Sequence, residues 1–103
     1  MKILYITCKD EKEAENISKE CISNNLAACG NTFPISSIYK WNSKIQSNKE
    51  YVLILKTQEN KLRELKEKVK ELHSYEVPCI LEFDVKANQE YDTWVKSCLE
   101  SQK

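Results

Sequence analysis

Residues 29–57, CGNTFPISSIYKWNSKIQSNKEYVLILKT, decide the fold. Ile35, Ser37, Tyr39 and Trp41 alternate with Ser36, Ile38 and Lys40, the period-two pattern of a strand, and Pro34 suggests an edge position or a bulge early in it. Residues 42–49 supply turn residues, and Glu50 to Lys56 reads as strand again. The two runs are therefore expected to pair as a long antiparallel hairpin.

Working outward, residues 2–8 form a short apolar run with β-branched and aromatic members, a strand pattern. The period then changes: Ala14, Ile17, Cys21 and Ile22 place one apolar stripe on a helix over about 11–25, ending near Asn24 and Asn25. Downstream of the hairpin, Thr57 is expected to cap a helix whose stripe is Leu62, Leu65, Val69 and Leu72. Glu59/Arg63 and Glu64/Lys68 are its favourable i,i+4 pairs. Val77-Pro78 stops any continuation. Cys79, Leu81, Phe83 and Val85 then alternate with Ile80, Glu82 and Asp84 as a fourth strand, and Asn88 opens a last helix with the stripe Tyr91, Trp94, Val95, Cys98 and Leu99. The order is β-α-β-β-α-β with a C-terminal helix, an α+β ferredoxin-like sandwich in a single domain over residues 1–103.

That architecture covers one sheet face with helices, yet the first and third strands carry apolar residues on both faces. Leu4 and Ile6 oppose Ile3 and Tyr5, and Val52 and Ile54 oppose Tyr51, Leu53 and Leu55. The last helix can cover part of the second face; the rest is expected to lie against another copy of the chain.

Composition narrows the function. Sixteen basic and sixteen acidic residues cancel, which leaves no footprint for nucleic acid. No apolar stretch approaches the roughly 20 residues that span a bilayer, so membrane insertion is not expected. The first residues have too short an apolar run for a signal peptide, and a cytoplasmic location is expected. The single glycine, Gly30, leaves no phosphate-cradling loop. Five cysteines without a CxxC pair argue against a disulfide framework or a structural zinc site, and reduced, buried thiols are the default.

Three features carry possible chemistry. His73, the only histidine, closes the second helix, where a cation is favoured by the macrodipole; Tyr75 and Glu76 follow it and are able to orient it as a metal ligand or a proton-transfer group. Cys29 sits at a helix-to-strand junction, the most reachable thiol, but no His, Lys or helix N-terminus is adjacent to activate it as a nucleophile. Tyr39, Trp41 and Tyr51 are alternate aromatic positions on the hairpin, suited to packing a face rather than to stacking bases without a basic groove.

The segments LAACGN (26–31), SIYKWNSKI (37–45), LILKT (53–57), KELHSYEVPCI (70–80) and YDTWVKSCL (91–99) together resemble the CutA family of divalent-cation tolerance proteins over nearly the full length. The resemblance implies a ferredoxin-like fold assembled as a homotrimer, with the long hairpin reaching neighbouring subunits. It implies a non-enzymatic role in copper tolerance with weak copper binding, no required cofactor, and divalent metal ions and other copies of itself as partners. Carried over, the metal ligands are Cys29 and His73, with Glu76 as a further donor. The chain departs from the family pattern at Ser43, Ser74 and Cys79, and has Leu72 before His73 and Ile6 where some relatives carry a further cysteine. The architecture is also similar to the PII signalling proteins, which implies an alternative: a small-anion-binding module whose inter-subunit clefts are lined by Tyr39, Trp41, Lys56, Tyr75 and His73.

Overall fold

The computed structural model describes residues 1–100; the last three residues of the expected 1–103 domain lie outside the described residues. In chain order the elements are β1 (Lys2–Cys8), α1 (Glu11–Ser23), β2 (Cys29–Trp41), β3 (Lys44–Thr57), a 3-10 turn (Glu59–Lys61) leading into α2 (Leu62–Leu72), β4 (Ile80–Asp84) and α3 (Gln89–Leu99). The four strands form one sheet in the order β2-β3-β1-β4, and every neighbouring pair is antiparallel. This is the ferredoxin-like arrangement expected from the element order.

The ends of α1 follow from its flanking residues. Asp10 is extended, and its side chain accepts from the backbone N–H of Glu13 at 2.8 Å, satisfying one of the free donors of the first turn. At the other end Asn25 takes a left-handed φ of 58°, and the N–H groups of Asn25 and Leu26 return to the carbonyls of Ile22 and Cys21. That pattern is a Schellman stop with asparagine in the glycine position.

The core lies between α1, α2 and the sheet face that carries Leu4, Ile6, Cys8, Leu53 and Leu55, all fully buried. Ala14, Ile17 and Cys21 of α1 and Leu62, Leu65 and Val69 of α2 close it. A second, smaller cluster of Ala28, Val95 and Leu99, with Met1, Tyr91 and Cys98 beside it, packs α3 against the chain. The register puts Phe33 opposite Val52, Leu81 opposite Tyr5 and Phe83 opposite Ile3, on the face away from α1 and α2. Phe33, Leu81 and Phe83 there are 41, 48 and 48 % exposed, so one chain leaves part of this second face open.

Three local expectations are corrected. Residues 42–49 are not a loop: the turn is only Asn42-Ser43, with φ of 51° and 65°, and β3 starts at Lys44. Two left-handed residues in a two-residue connection match the twist of a hairpin. The polar run from Lys44 to Lys49 hid the strand because β1 pairs only with residues 51–57, so the hairpin beyond projects from the sheet and has no buried face in one chain. Thr57 does not cap α2; it is fully buried at the end of β3 and its hydroxyl donates to the Leu26 carbonyl at 2.7 Å. The helix follows Gln58 through the 3-10 turn without a side-chain cap. The surface pairs also differ, since among the described residues Lys68 pairs with Glu71 and Lys66 with Glu82 rather than Glu59 with Arg63 and Glu64 with Lys68. At exposed positions such exchanges cost little.

Candidate metal site at the end of the sheet

Three elements converge where β1 runs into α1. Cys8 is the last residue of β1, its side chain on the core face and fully buried. Glu13 stands in the first turn of α1, and His73 is the residue at which α2 ends; each is 9 % exposed. One donor atom from each of the three, a thiol sulfur, a carboxylate oxygen and an imidazole nitrogen, lies within 4.8 Å of the other two.

The backbone holds these side chains in place. His73 ends α2 by turning extended, with φ of −74° and ψ of 141°, while its own N–H still bonds to Val69. Its ring therefore leaves the helix axis and crosses to β1, where Nε2 lies 2.8 Å from the Thr7 carbonyl oxygen. A carbonyl only accepts, so Nε2 carries the proton. Nδ1 is then the acceptor and takes the backbone N–H of Tyr75 at 3.0 Å. Glu13 accepts from Lys9 N–H at 3.0 Å on Oε1 and from Ser74 N–H at 2.9 Å on Oε2. Carboxylate and imidazole thus tie the β1–α1 corner to the segment following α2. Tyr75 continues the network, its ring centroid 4.8 Å from that of His73 and its hydroxyl donating to Glu50 Oε2 at 2.6 Å.

The electrostatics are those of a largely buried, acidic corner. Burial pushes the Cys8 thiol up to about 12, and the nearby carboxylates of Glu13, Glu50 and Asp10 act in the same direction. Burial likewise raises Tyr75 above its ordinary range, aided by the hydrogen bond to Glu50. For Glu13, burial works to raise the carboxyl, but the hydrogen bonds from Ser74 and Lys9 outweigh it and hold the group below the ordinary carboxylate value. A buried thiol held up at about 12 is a poor nucleophile. Nitrogen, sulfur and oxygen donors within 4.8 Å of one another are of the types that ligate a cation, so the residue chemistry of this corner fits the copper that the sequence resemblance implied.

The other expected site residues lie elsewhere. Cys29 is in register with Lys56 and, across β3, with Ile3, four positions along β1 from Thr7. That is about 13 Å along the strands at 3.3 Å per residue, and Cys29 also points to the face opposite Cys8. One chain therefore does not bring Cys29 and His73 to a common ion. Glu76 is exposed and outside the cluster. The cleft residues divide among three places: Tyr39 and Trp41 on the projecting hairpin, 40 and 65 % exposed; Lys56 with its Nζ 5.3 Å from the Tyr91 ring centroid; and Tyr75 beside His73. Sequence reading missed Cys8, taken as core, and Glu13. The signal for Glu13 was present in the Asp10-x-x-Glu13 spacing of a capping box, which fixes that carboxylate at a helix start.

Comparison with known proteins agrees with this fold. The family described as CutA1 divalent ion tolerance protein matches residues 2–98. A Divalent-cation tolerance protein CutA of Archaeoglobus fulgidus is 38 % identical over 98 residues, 94 % of this chain and 96 % of that protein. One of Pyrococcus horikoshii is 42 % identical over 96 residues, 92 % of this chain and 94 % of that protein. The crystal structure of CutA1 from Pyrococcus horikoshii superposes with a TM-score of 0.93 at 38 % identity, covering 98 % of this chain and all of that one. The structure of the Archaeoglobus protein, named there as periplasmic, gives a TM-score of 0.92 at 37 % identity over 97 % of this chain and 100 % of that one.

Proposed function

The chain belongs to the CutA1 divalent ion tolerance family, and from that premise we propose that it is a non-enzymatic homotrimer that binds copper weakly at the end of the sheet centred on His73. The observation that carries this reading is the setting of the only imidazole, buried and locked in place with a thiol and a carboxylate within 4.8 Å. Assembly is supported by the apolar face that one chain leaves open around Phe33, Leu81 and Phe83, and by the projecting hairpin, whose Ile38, Trp41 and Ile45 are 72, 65 and 76 % exposed. The absence of catalysis is supported by the burial of Cys8, which pushes its thiol up to about 12 and away from the reactive thiolate. Within one chain Cys29 and His73 lie at different ends and faces of the sheet and the cleft residues lie apart, so a site that uses them requires neighbouring subunits. Cytoplasmic residence is supported by five free cysteines, as reducing compartments keep thiols unpaired. No helix among the described residues is long and apolar enough to cross a membrane.

Copper titration of the purified protein tests this. Saturation at about one ion per subunit is expected, much weakened in His73→Ala. Unchanged binding in His73→Ala overturns the site. Loss of binding in Cys29→Ala as well favours an ion shared between subunits. Sedimentation should give three chains, and a folded single chain at micromolar concentration overturns the trimer.

A further inference from the structure

We propose that the sheet face turned away from α1 and α2 carries, beside α3, a seat for a small aromatic monocarboxylate, with Lys56 as the residue that recognises the charge and Asn31 as a second donor. The seat shares no residue with the corner around His73. Lys56 stands opposite Ile3, and Thr7, which accepts from His73, lies four positions further along β1, about 13 Å away at 3.3 Å per residue.

The first ground is an unmatched charge. Where β1 pairs with its neighbours, the register sets Ile3, Tyr5, Ile54, Leu81 and Phe83 on this face, and Lys56 is the only charged residue among the side chains placed there. Among the described residues its ammonium takes part in none of the ion pairs. What it meets is the ring of Tyr91, 5.3 Å from Nζ to the centroid. A half-buried lysine on an apolar face gives up hydration without gaining a counter-charge, and the cost grows as more of that face is covered. A bound anion removes that cost.

The second ground is the donor set. Cys29 is directly opposite Lys56 on β2, and Asn31 follows two residues on, on the same face. Diagonal neighbours of this kind have Cβ atoms about 7–8 Å apart, a gap that a lysine stem spans, so the ammonium and the Asn31 amide can meet on the two oxygens of one carboxylate. The Cys29 thiol donates to Asn31 Oδ1 at 3.9 Å, which engages the amide oxygen and leaves the amide N–H groups for a ligand. One cation and one neutral donor match a single negative charge. A phosphate ester would bring a second charge with nothing to meet it.

The third ground is the wall around the ammonium. Phe83, Ile3, Lys56 and Cys29 form one row across the four strands, and Tyr91 stands over the lysine with Trp94 beside it, their ring centroids 5.5 Å apart and tilted by 32°. Phe83 and Trp94 are 48 and 47 % exposed, so aromatic surface on this side is open to a ligand. A flat apolar ring carried by the carboxylate lies over Ile3 towards Phe83, where aromatic pairs gain offset or edge-to-face contact beyond the area they bury.

Saturation-transfer difference NMR with benzoate as the probe tests the seat. The wild-type protein should give a saturable benzoate signal, and benzamide, which has the same shape without the charge, should bind at least about tenfold more weakly because the charged hydrogen bond is lost. Lys56→Met keeps the apolar stem and should lose benzoate by a similar factor, whereas Lys56→Arg should retain it. Asn31→Ala should weaken it by about threefold. Equal binding of benzoate and benzamide by the wild-type protein, a comparison that requires no variant to fold, overturns the seat. So does benzoate binding that survives Lys56→Met, or no saturable benzoate signal at all. Sedimentation of Lys56→Met identifies the rival: if the wild type ignores benzoate and this variant falls apart into single chains, the counter-charge of Lys56 is a carboxylate of a neighbouring subunit and the seat is wrong.

Discussion

The imidazole of His73 and the carbonyl of Thr7 meet at 2.8 Å across a sequence separation of 66 residues, fastening the end of α2 to the last turn of strand before α1. Replacing His73 with alanine leaves the Thr7 carbonyl and the Tyr75 N–H without partners in a mostly buried place. Unsatisfied groups of that kind cost about 1–3 kcal/mol each, so His73→Ala should lower the urea midpoint by an amount in that range even without metal. A change below about 0.5 kcal/mol, the scale of a neutral surface substitution, would show that the contact is not formed in solution.

Glu13 makes stability depend on acid. Its carboxyl is held below the ordinary glutamate value in the folded chain by the N–H groups of Ser74 and Lys9. The unfolded state therefore takes up a proton first as pH falls, and the contribution is complete above that unfolded value and lost as pH drops through the folded one. Unfolding midpoints measured from pH 7 downward should decline below about pH 4.5, and Glu13→Gln should flatten that decline. An identical acid slope in wild type and variant would remove Glu13 from the account.

The thiols should divide into two classes. Cys8 and Cys21 are fully buried and pushed up to about 12 and about 11, whereas Cys29, Cys79 and Cys98 are half-buried. In native protein at pH 8 a thiol reagent should label the half-buried group quickly and the other two only as the chain opens. Uniform labelling of all five in the folded state would contradict the placement of Cys8.

Gly30 and Ser18 set the distance between β2 and α1. A Cβ added at Gly30 would lie 2.6 Å from Ser18 Oγ and 3.1 Å from Ser18 Cβ. Among the described residues Ser18 Oγ is itself buried without a hydrogen-bond partner. Gly30→Ala should destabilise by about 1–3 kcal/mol through overpacking. Ser18→Ala removes an orphaned hydroxyl and should be neutral or stabilising. Thermal melts of the two variants should move in these directions, and a destabilising Ser18→Ala would show that the hydroxyl has a partner after all.

Much of the fold was legible in the residues because the periods of Ala14–Cys21 and Leu62–Val69 are set by a face that must be buried, while Leu81 and Phe83 keep a strand's alternation on the face that one chain leaves open. The hairpin from Lys44 to Lys49 was not, because a strand that projects beyond its own sheet has no such face and leaves no alternation. The site was half legible. His73 stood out as the only imidazole at a helix end. Cys8 did not, since a buried thiol on a core stripe looks like any small hydrophobe until the fold brings a carboxylate and an imidazole beside it. Cys29 looked reachable at its junction, but its register with Lys56 sends it to the far end and the other face.

The most direct measurement is an anomalous difference map, recorded at the copper absorption edge, from crystals of the protein loaded with one equivalent of copper. The peak should lie in the corner between the end of β1, the first turn of α1 and His73. A peak at Cys29 or on the projecting hairpin, with nothing beside His73, would contradict the site and the function built on it.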